Sequence, residues 1–209
     1  MLTLSQLARL SQICQMVNEN EQTFFSCVII EKKVLHNEEV ALRYHSHIVT
    51  SLCFGAAVAA HTSLSFSVSY TAGIVVGSLL PDIDEPKSYV GRRSMGVSNK
   101  VKEAFGHRGM THSLVVWGII ALVMMWESSS LFAVGFVLGY LFHILEDFFS
   151  VQGVPLFWPF TLRRFKIPIY RTGNFIEKAL FYAAFALLVY IGTKENLFYE
   201  WWKSFGSFM

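Results

Sequence analysis

Histidine and aspartate residues occur in three short motifs of a mostly apolar chain. GHRGMTHS places two histidines five positions apart, PDID holds two aspartates, and HILED places a histidine and an aspartate four positions apart, on one face of a helix. With one histidine upstream, these motifs supply seven candidate metal ligands, namely His47, Asp82, Asp84, His107, His112, His143 and Asp147. Imidazole and carboxylate ligands together suit Zn, Mn or Fe. Because seven candidates exceed the four ligands of a structural zinc site, we predict two or more divalent ions, an arrangement suited to phosphate ester hydrolysis.

Local geometry can bring these groups together. PDID is expected to be extended or turned, and on an extended segment both carboxylates can point the same way. In HRGMTH, the glycine and a turn would let the two histidines converge. Each motif alone has a plainer interpretation: a histidine at a membrane interface, a helix-ending aspartate pair, or a simple histidine–aspartate ion pair. The joint pattern favours a metal site.

Two arginines are candidates for binding an anionic substrate. Arg108 lies between the two histidines of GHRGMTHS, and its planar guanidinium can bind phosphate at two positions. Arg92 is the second candidate, although attraction to anionic lipid headgroups explains it and Arg93 equally well. Glu177 could be a further ligand or a base, but a carboxylate favoured by the helix dipole is the simpler interpretation.

The composition indicates an integral membrane protein. The 209 residues are 53% hydrophobic and 15% charged, whereas a soluble domain carries about 25% charged residues. Five apolar stretches follow one another at 48–60, 66–80, 113–126, 131–149 and 176–192. We therefore predict an all-α membrane-embedded helical bundle with four or five short spans. The alternative is a partly buried bundle lying on a membrane.

The connections between these stretches predict their orientation. The links 61–65 and 127–130 carry no lysine or arginine, whereas the loops 81–112 and 150–175 are long and basic. The positive-inside rule places both long loops in the cytoplasm. All seven candidate ligands then fall at the cytoplasmic ends of their spans, where ionisable residues usually mark function. His61 falls at the opposite face and is expected not to be a ligand.

The remaining segments give three further expectations. Residues 1–44 form a more polar N-terminal extension, either a small cytosolic segment or sequence translated upstream of the natural start. Residues 45–192 form the membrane-embedded hydrolase-like domain, and residues 193–209 form a C-terminal tail. Within the first long loop, SNKVKEAF predicts a short interfacial helix capped by Ser98. His36 and His45 are not expected to be ligands, and three unpaired cysteines argue against a disulfide framework.

A family resemblance supports this interpretation. LLPDIDEPKS, GRR, AFGHRGMTHSL, LGYLFHILEDFFS, GVPLFWP and GNFIE, in this order over about residues 45–192, resemble the YdjM family. The resemblance implies a bacterial inner-membrane, phospholipase-like metal-dependent hydrolase under LexA control in the SOS response. The family's polar residues fall on the same seven positions. The order of histidines and aspartates also resembles zinc-dependent phospholipase C. Many family members have histidine where this chain has Glu85, so Glu85 is either a ligand that alters metal preference or no ligand.

The expected function is hydrolysis of a phosphate ester, with a phospholipid as candidate substrate, by a metal-activated water at the inner membrane. The expected partners are membrane lipid and a phosphate-containing substrate, and no nucleic acid. One alternative is a non-catalytic membrane protein with a structural metal site. Another is an ion or metal transporter, which would place such ligands near the bilayer midplane on broken helices.

Overall fold

The computed structural model describes residues 44–106 and 108–206, and within these ranges the regular elements are helical. The α-helices are α1 (44–61), α2 (Val68–Leu79), α3 (Val97–Phe105), α4 (Leu114–Glu127), α5 (Leu131–Phe148), α6 (Phe175–Lys194) and α7 (Leu197–Gly206). Two isolated β-bridges tie the loop after α5 together, without a strand in the described part of the chain. The all-α prediction is therefore confirmed. The predicted N-terminal extension, including His36, lies almost entirely outside the described residues.

The five apolar stretches of the sequence correspond to α1, α2, α4, α5 and α6. Two helices, α5 and α6, are long and apolar enough to cross a membrane. A third apolar helix, α4, is shorter, with 14 residues. Two candidate spans are thus present in the described ranges, and a bundle of four or five spans stays a prediction.

Glycines bring α2 and α5 into direct backbone contact. Gly73 and Gly77 of α2 face α5, and Gly135 and Gly139 of α5 face α2. A Cβ atom added to Gly77 would lie 2.1 Å from the carbonyl oxygen of Phe136, and the other three positions are equally close to backbone. Such pairs of small residues four positions apart allow close packing of membrane helices. This contact fixes the C-terminal end of α2 against that of α5.

The core at the other end of the bundle is apolar and aromatic. Tyr70 and Ile74 of α2 are completely buried there. Helix α7 packs against the start of α2: the Trp201 indole donates to the Thr71 hydroxyl at 2.9 Å, and the Val68 amide donates to Ser204 Oγ at 2.9 Å. The predicted C-terminal tail is therefore mostly a helix that closes this end of the bundle.

Helices α4 and α6 present apolar side chains to the outside. Leu122 and Trp126 on α4 are 75% and 89% exposed, and Phe175 and Tyr182 on α6 are 78% and 68% exposed. Water is a poor solvent for such continuous apolar surface, which indicates contact with lipid or protein.

The predicted interfacial helix exists as α3, but its cap was predicted wrongly. The residue that caps α3 is Gly96, in the left-handed conformation with φ 91°, which glycine adopts without strain. Ser98 lies inside the helix and is buried. Val97 and Phe105 are exposed, so α3 does present apolar side chains on the surface, as an interfacial helix would.

The PDID motif is a turn of 3-10 helix, Pro81–Asp84, and the extended geometry considered for it is wrong. Helix α2 runs directly into the turn, and Pro81 stands at its first position, where a proline loses no hydrogen bond. With three residues per turn, residues two apart point in different directions. Asp82 and Asp84 consequently contact different residues: Asp82 lies near His143, and Asp84 lies near His112.

Candidate metal centre

The site lies at one end of the bundle, where four segments meet. They are the start of α1, the PDID turn after α2, the turn Met110–His112 before α4, and the last turns of α5. Ligand atoms of His112, His143 and Asp147 lie within 4.8 Å of one another. A second group, formed by His47, Asp82 and His143, meets the same criterion.

His143 is oriented by a backbone carbonyl. Its Nδ1 lies 2.6 Å from the carbonyl oxygen of Ser78 on α2. A carbonyl only accepts, so Nδ1 carries the proton and Nε2 of the neutral ring presents a lone pair. Nε2 faces His112 Nε2 at 3.3 Å, Asp147 Oδ2 at 3.7 Å and Asp82 Oδ1 at 3.8 Å. This is the orientation of a metal-binding histidine whose other nitrogen is fixed by an outer hydrogen bond.

His112 is completely buried between two carboxylates. Its Nδ1 lies 3.2 Å from Asp84 Oδ2, and its Nε2 lies 3.2 Å from Asp147 Oδ2. The Thr111 hydroxyl donates to the same Asp84 oxygen at 2.6 Å and can accept from His112 Nδ1 at 3.0 Å. Burial lowers the pKa of His112, but the adjacent carboxylates of Asp147 and Asp84 outweigh burial and raise that pKa to about 9. The site therefore favours a positive charge here, which a proton or a metal cation can supply.

Asp147 has one satisfied and one unsatisfied oxygen. Oδ1 accepts a hydrogen bond from Arg108 Nη2 at 2.6 Å. Oδ2 is buried, and within the described residues it has no hydrogen-bond partner. Because a buried carboxylate oxygen without a hydrogen bond is costly, a cation beside this atom would stabilise it. It lies beside the two Nε2 atoms, so the residues present fit a metal ion.

The second group is more open to solvent. His47 stacks on His143 with 4.1 Å between ring centroids, and its Nε2 lies 3.9 Å from Asp147 Oδ1. The Asp82 side chain keeps 20% of its surface exposed, against 1% or less for His112, His143 and Asp147. Burial nevertheless raises the pKa of Asp82, an effect that His47 opposes only when its ring is protonated. Asp82 is thus the most solvent-exposed of these candidate ligands.

The two groups share one atom, which limits how they can be filled. Both include His143, whose Nδ1 is bound to the Ser78 carbonyl. Only its Nε2 can bind metal, and one imidazole nitrogen binds one ion. The groups are therefore not two independent three-residue sites. A second ion would need ligands besides His143.

The structure brings six of the seven predicted ligands together. His107 lies outside the described residues. Arg108 and Arg92, both predicted to bind substrate, differ: Arg108 is buried and donates to Asp147 and to Ser150 Oγ, whereas Arg92 is exposed and donates to the Lys87 carbonyl. Arg108 is therefore a buried hydrogen-bond partner of Asp147 and is not exposed to bind a substrate.

The other residues considered from the sequence belong to neither candidate ligand group. Glu85 forms a 2.8 Å ion pair with Lys102, and its other oxygen accepts from the Lys87 amide. Glu177 is in the first turn of α6 and accepts from the Gly173 amide, as a helix-start carboxylate does. His61 is exposed at the C-terminal end of α1, where its Nδ1 contacts the carbonyl of Ala57.

Sequence reasoning missed two side chains beside the site. Glu146 hydrogen bonds to His47 at 2.6 Å, and Thr111 links Asp84 to His112. The signal for Glu146 was present, since HILED puts a second carboxylate in the last turns of an apolar helix, where charge is costly. No spacing rule indicated Thr111, because its role depends on the tertiary position of the PDID turn.

Comparison with known proteins finds one matching family and several relatives. The sequence model of the family described as YdjM inner membrane protein matches residues 42–207. Two proteins named inner membrane protein YdjM, from Escherichia coli K12 and Shigella flexneri, are each 39% identical over 137 residues, covering 61% of this chain and 69% of theirs. A Bacillus subtilis protein named uncharacterized protein YvsG is 34% identical over 117 residues, covering 53% of this chain and 70% of its own. No solved structure matches the chain significantly.

Proposed function

Because this chain belongs to the YdjM family of inner membrane proteins, we propose that it is a membrane-bound metal-dependent hydrolase acting on a phosphate ester. The observation that carries the proposal is the buried Asp147 Oδ2, which has no hydrogen-bond partner within the described ranges and lies beside the Nε2 atoms of His112 and His143. A Zn, Mn or Fe ion would satisfy all three atoms.

Within this proposal, His112, His143 and Asp147 hold one ion. His47 and Asp82 face the same space from the more open side, and with a further ligand they would complete a second site. An ion held by these residues would supply Lewis-acid chemistry, which polarises a phosphoryl group and makes water a stronger nucleophile. Arg108 holds Asp147 in place, and Thr111 and Ser78 fix the orientation of the two histidines.

The proposed substrate is a phosphate ester at the membrane surface, with a phospholipid headgroup as the leading candidate. The loop after α5 exposes Phe160 and Leu162 at 82% and 78%, followed directly by Arg163 and Arg164. Such a segment suits the headgroup level, where aromatic and basic residues collect. Ser113 Oγ, one residue from His112, donates to the carbonyl of Trp158 at 2.8 Å, which ties this loop to the site.

We place the site on the cytoplasmic side. The connections at this end of the bundle are rich in lysine and arginine, and the short connections 62–67 and 128–130 at the other end have none. The cytoplasmic side carries such an excess of basic residues in membrane proteins.

A structural metal site without catalysis is the second candidate function. The observation that favours it is burial: His112 and His143 are fully buried and Asp147 is 1% exposed. A closed site of this kind would hold its ion without turnover. The location at one end of the bundle does not favour a transporter, which would hold its substrate near the midplane.

The test begins with metal content. Elemental analysis of detergent-purified protein is compared with His112→Ala and His61→Ala, each checked for helicity and monodispersity. The expected result is at least one equivalent of Zn, Mn or Fe in the wild type and His61→Ala, reduced in His112→Ala. Absence of metal under every loading condition would overturn the proposal.

Turnover then separates the two candidate functions. Metal-loaded protein is assayed on phospholipid vesicles and on soluble phosphodiesters, beside the variant with Phe160→Ser and Leu162→Ser. Hydrolysis of vesicles that falls in this variant, while hydrolysis of soluble esters does not, supports a lipid substrate. Stoichiometric metal with no hydrolysis of either substrate supports the structural site.

A further inference from the structure

Glu146 neighbours the proposed ligand Asp147 but points to a different partner. It is buried in the last turns of α5. Its Oε2 lies 2.6 Å from Nδ1 of His47, and its Oε1 accepts a 3.2 Å hydrogen bond from Ser51 Oγ. His47 and Ser51 are four positions apart on α1, so one carboxylate bridges two successive turns of that helix.

These contacts determine which nitrogen of His47 can face a metal. A carboxylate accepts, so Nδ1 of His47 donates to Glu146, and Nε2 of the neutral ring then carries a lone pair. The ring stacks on His143, and its Nε2 points towards the cluster, 3.9 Å from Asp147 Oδ1. The opposite tautomer would present an N–H group to the ion and could not bind it.

Glu146 itself is poorly placed to be a ligand. Both of its oxygens are engaged with α1. The groups of candidate ligand atoms found in the described ranges include His47 and Asp147, but not Glu146. Its backbone carbonyl accepts a hydrogen bond from the Tyr170 hydroxyl at 2.9 Å, which further fixes this turn of α5.

We infer that Glu146 is a positioning residue that holds His47 in the Nδ1–H form and directs Nε2 into the metal centre. A carboxylate, a histidine and a metal in sequence are a common arrangement, and loss of the outer carboxylate typically weakens metal binding about 10- to 100-fold. Ser51 has the smaller role of fixing the second carboxylate oxygen. The inference rests on the proposed function, since it needs the metal centre.

The first experiment measures metal affinity. Zinc and cobalt(II) dissociation constants are determined by competition with chelators for the wild type, Glu146→Ala, Glu146→Gln and Glu85→Gln. We expect Glu146→Ala to bind about 10- to 100-fold more weakly. Glu146→Gln should bind more tightly than Glu146→Ala, because an amide oxygen can still accept from Nδ1–H. Glu85→Gln removes a carboxylate that is paired with Lys102 and should bind like the wild type.

The second experiment detects the tautomer directly. Protein labelled with ¹⁵N-histidine is titrated with pH in the metal-free state, and His47 is assigned by its loss in His47→Gln. The neutral His47 ring should carry its proton on Nδ1 in the wild type and shift towards Nε2–H in Glu146→Ala. A purely structural role of Glu146 would leave this distribution unchanged.

The outcomes separate this inference from the proposed function. If the wild type binds no metal, the proposed function fails and the inference fails with it. If the wild type binds metal and folded Glu146→Ala binds it equally well, or if its His47 tautomer is unchanged, the inference alone is overturned. Should Glu146→Ala not fold, Glu146→Leu, which fills more of the space but has no acceptor for Nδ1–H, takes its place in both comparisons.

Discussion

The guanidinium of Arg108 lies directly against the carboxylate of Asp147, with Nη2 2.6 Å from Oδ1, and both side chains are at least nine-tenths buried. The backbone of Arg108 is left-handed, with φ 52°, an uncommon conformation for a residue other than glycine. The loop before α4 is therefore held in a less favourable conformation that brings this cation to the end of α5. Such outliers cluster at functional sites.

Replacing Arg108 with methionine should destabilise the metal-free protein. Asp147 would keep a buried charge without its partner, and breaking a buried pair in this way costs about 3–5 kcal/mol. The free energy of unfolding is measured by denaturant titration in detergent. The control, Arg92→Ala, removes an exposed arginine and should change stability by less than about 0.5 kcal/mol. A stable Arg108→Met that loses only substrate affinity would instead support the role predicted for Arg108 from sequence.

Gly77→Ala should separate α2 from α5. The added methyl group would lie 2.1 Å from the carbonyl oxygen of Phe136, and backbone cannot move aside without moving the helix. Overpacking of this kind typically costs about 1–3 kcal/mol. The unfolding temperature in detergent should fall, and metal affinity should fall with it, because the PDID turn follows α2.

Gly118→Ala is the matched control for this prediction. Gly118 lies in α4, and an added Cβ would meet no atom within 4 Å. Alanine is favoured over glycine in helices by about 1 kcal/mol, so this variant should be as stable as the wild type or more stable. Equal destabilisation by both substitutions would contradict the packing explanation.

Glu85→His should leave the metal content unchanged. The family resemblance implies a histidine at this position, but Glu85 is turned towards Lys102 and the Lys87 amide. The partly exposed ion pair with Lys102 should contribute less than about 1 kcal/mol, so stability should also change little. Elemental analysis of the two proteins checks this. A gain or loss of one equivalent of metal would make position 85 a ligand position.

Labelling of single cysteines should locate the site relative to the membrane. In a background without the native cysteines, Ser129→Cys lies in the short connection before α5 and Gln152→Cys lies in the basic loop after it, both at exposed positions. A membrane-impermeant maleimide should label Ser129→Cys in intact cells and Gln152→Cys only after lysis. The reverse pattern would put the proposed metal centre on the outer side.

The sequence predicted the location of the candidate site better than its internal geometry. Helices joined by short links alternate in direction, so His47, His112 and His143 were expected at the same end of the bundle, and the structure brings them together. The rotation of each helix and the course of each loop depend on packing. Glu146, which the sequence motifs did not single out, hydrogen bonds to His47. Arg108, which was predicted to bind a substrate, hydrogen bonds to Asp147 instead.

The PDID turn shows why local rules were insufficient. Proline disfavours helix in the residue before it, but Leu80 stays helical because its amide bonds to the Val76 carbonyl and α2 is held along its length by α5. Tertiary contact overrides the local preference here. Local patterns could not determine the number of membrane spans either, because an apolar helix of 14 residues is compatible both with a short span and with a buried core helix.

The site also brings together residues that are far apart in the sequence and are therefore synthesised at different times. His47 and Glu146, which meet at 2.6 Å, are separated by 99 positions. An ion held by His47 and the neighbouring Asp147 would act as a reversible cross-link across nearly half of the chain, and the unfolded chain would seldom bring these ligands together. The metal supply would then determine how much of the protein stays folded. A free ion concentration 100 times the dissociation constant adds about 2.7 kcal/mol to the free energy of unfolding. A cell short of that ion would then contain less of the folded protein.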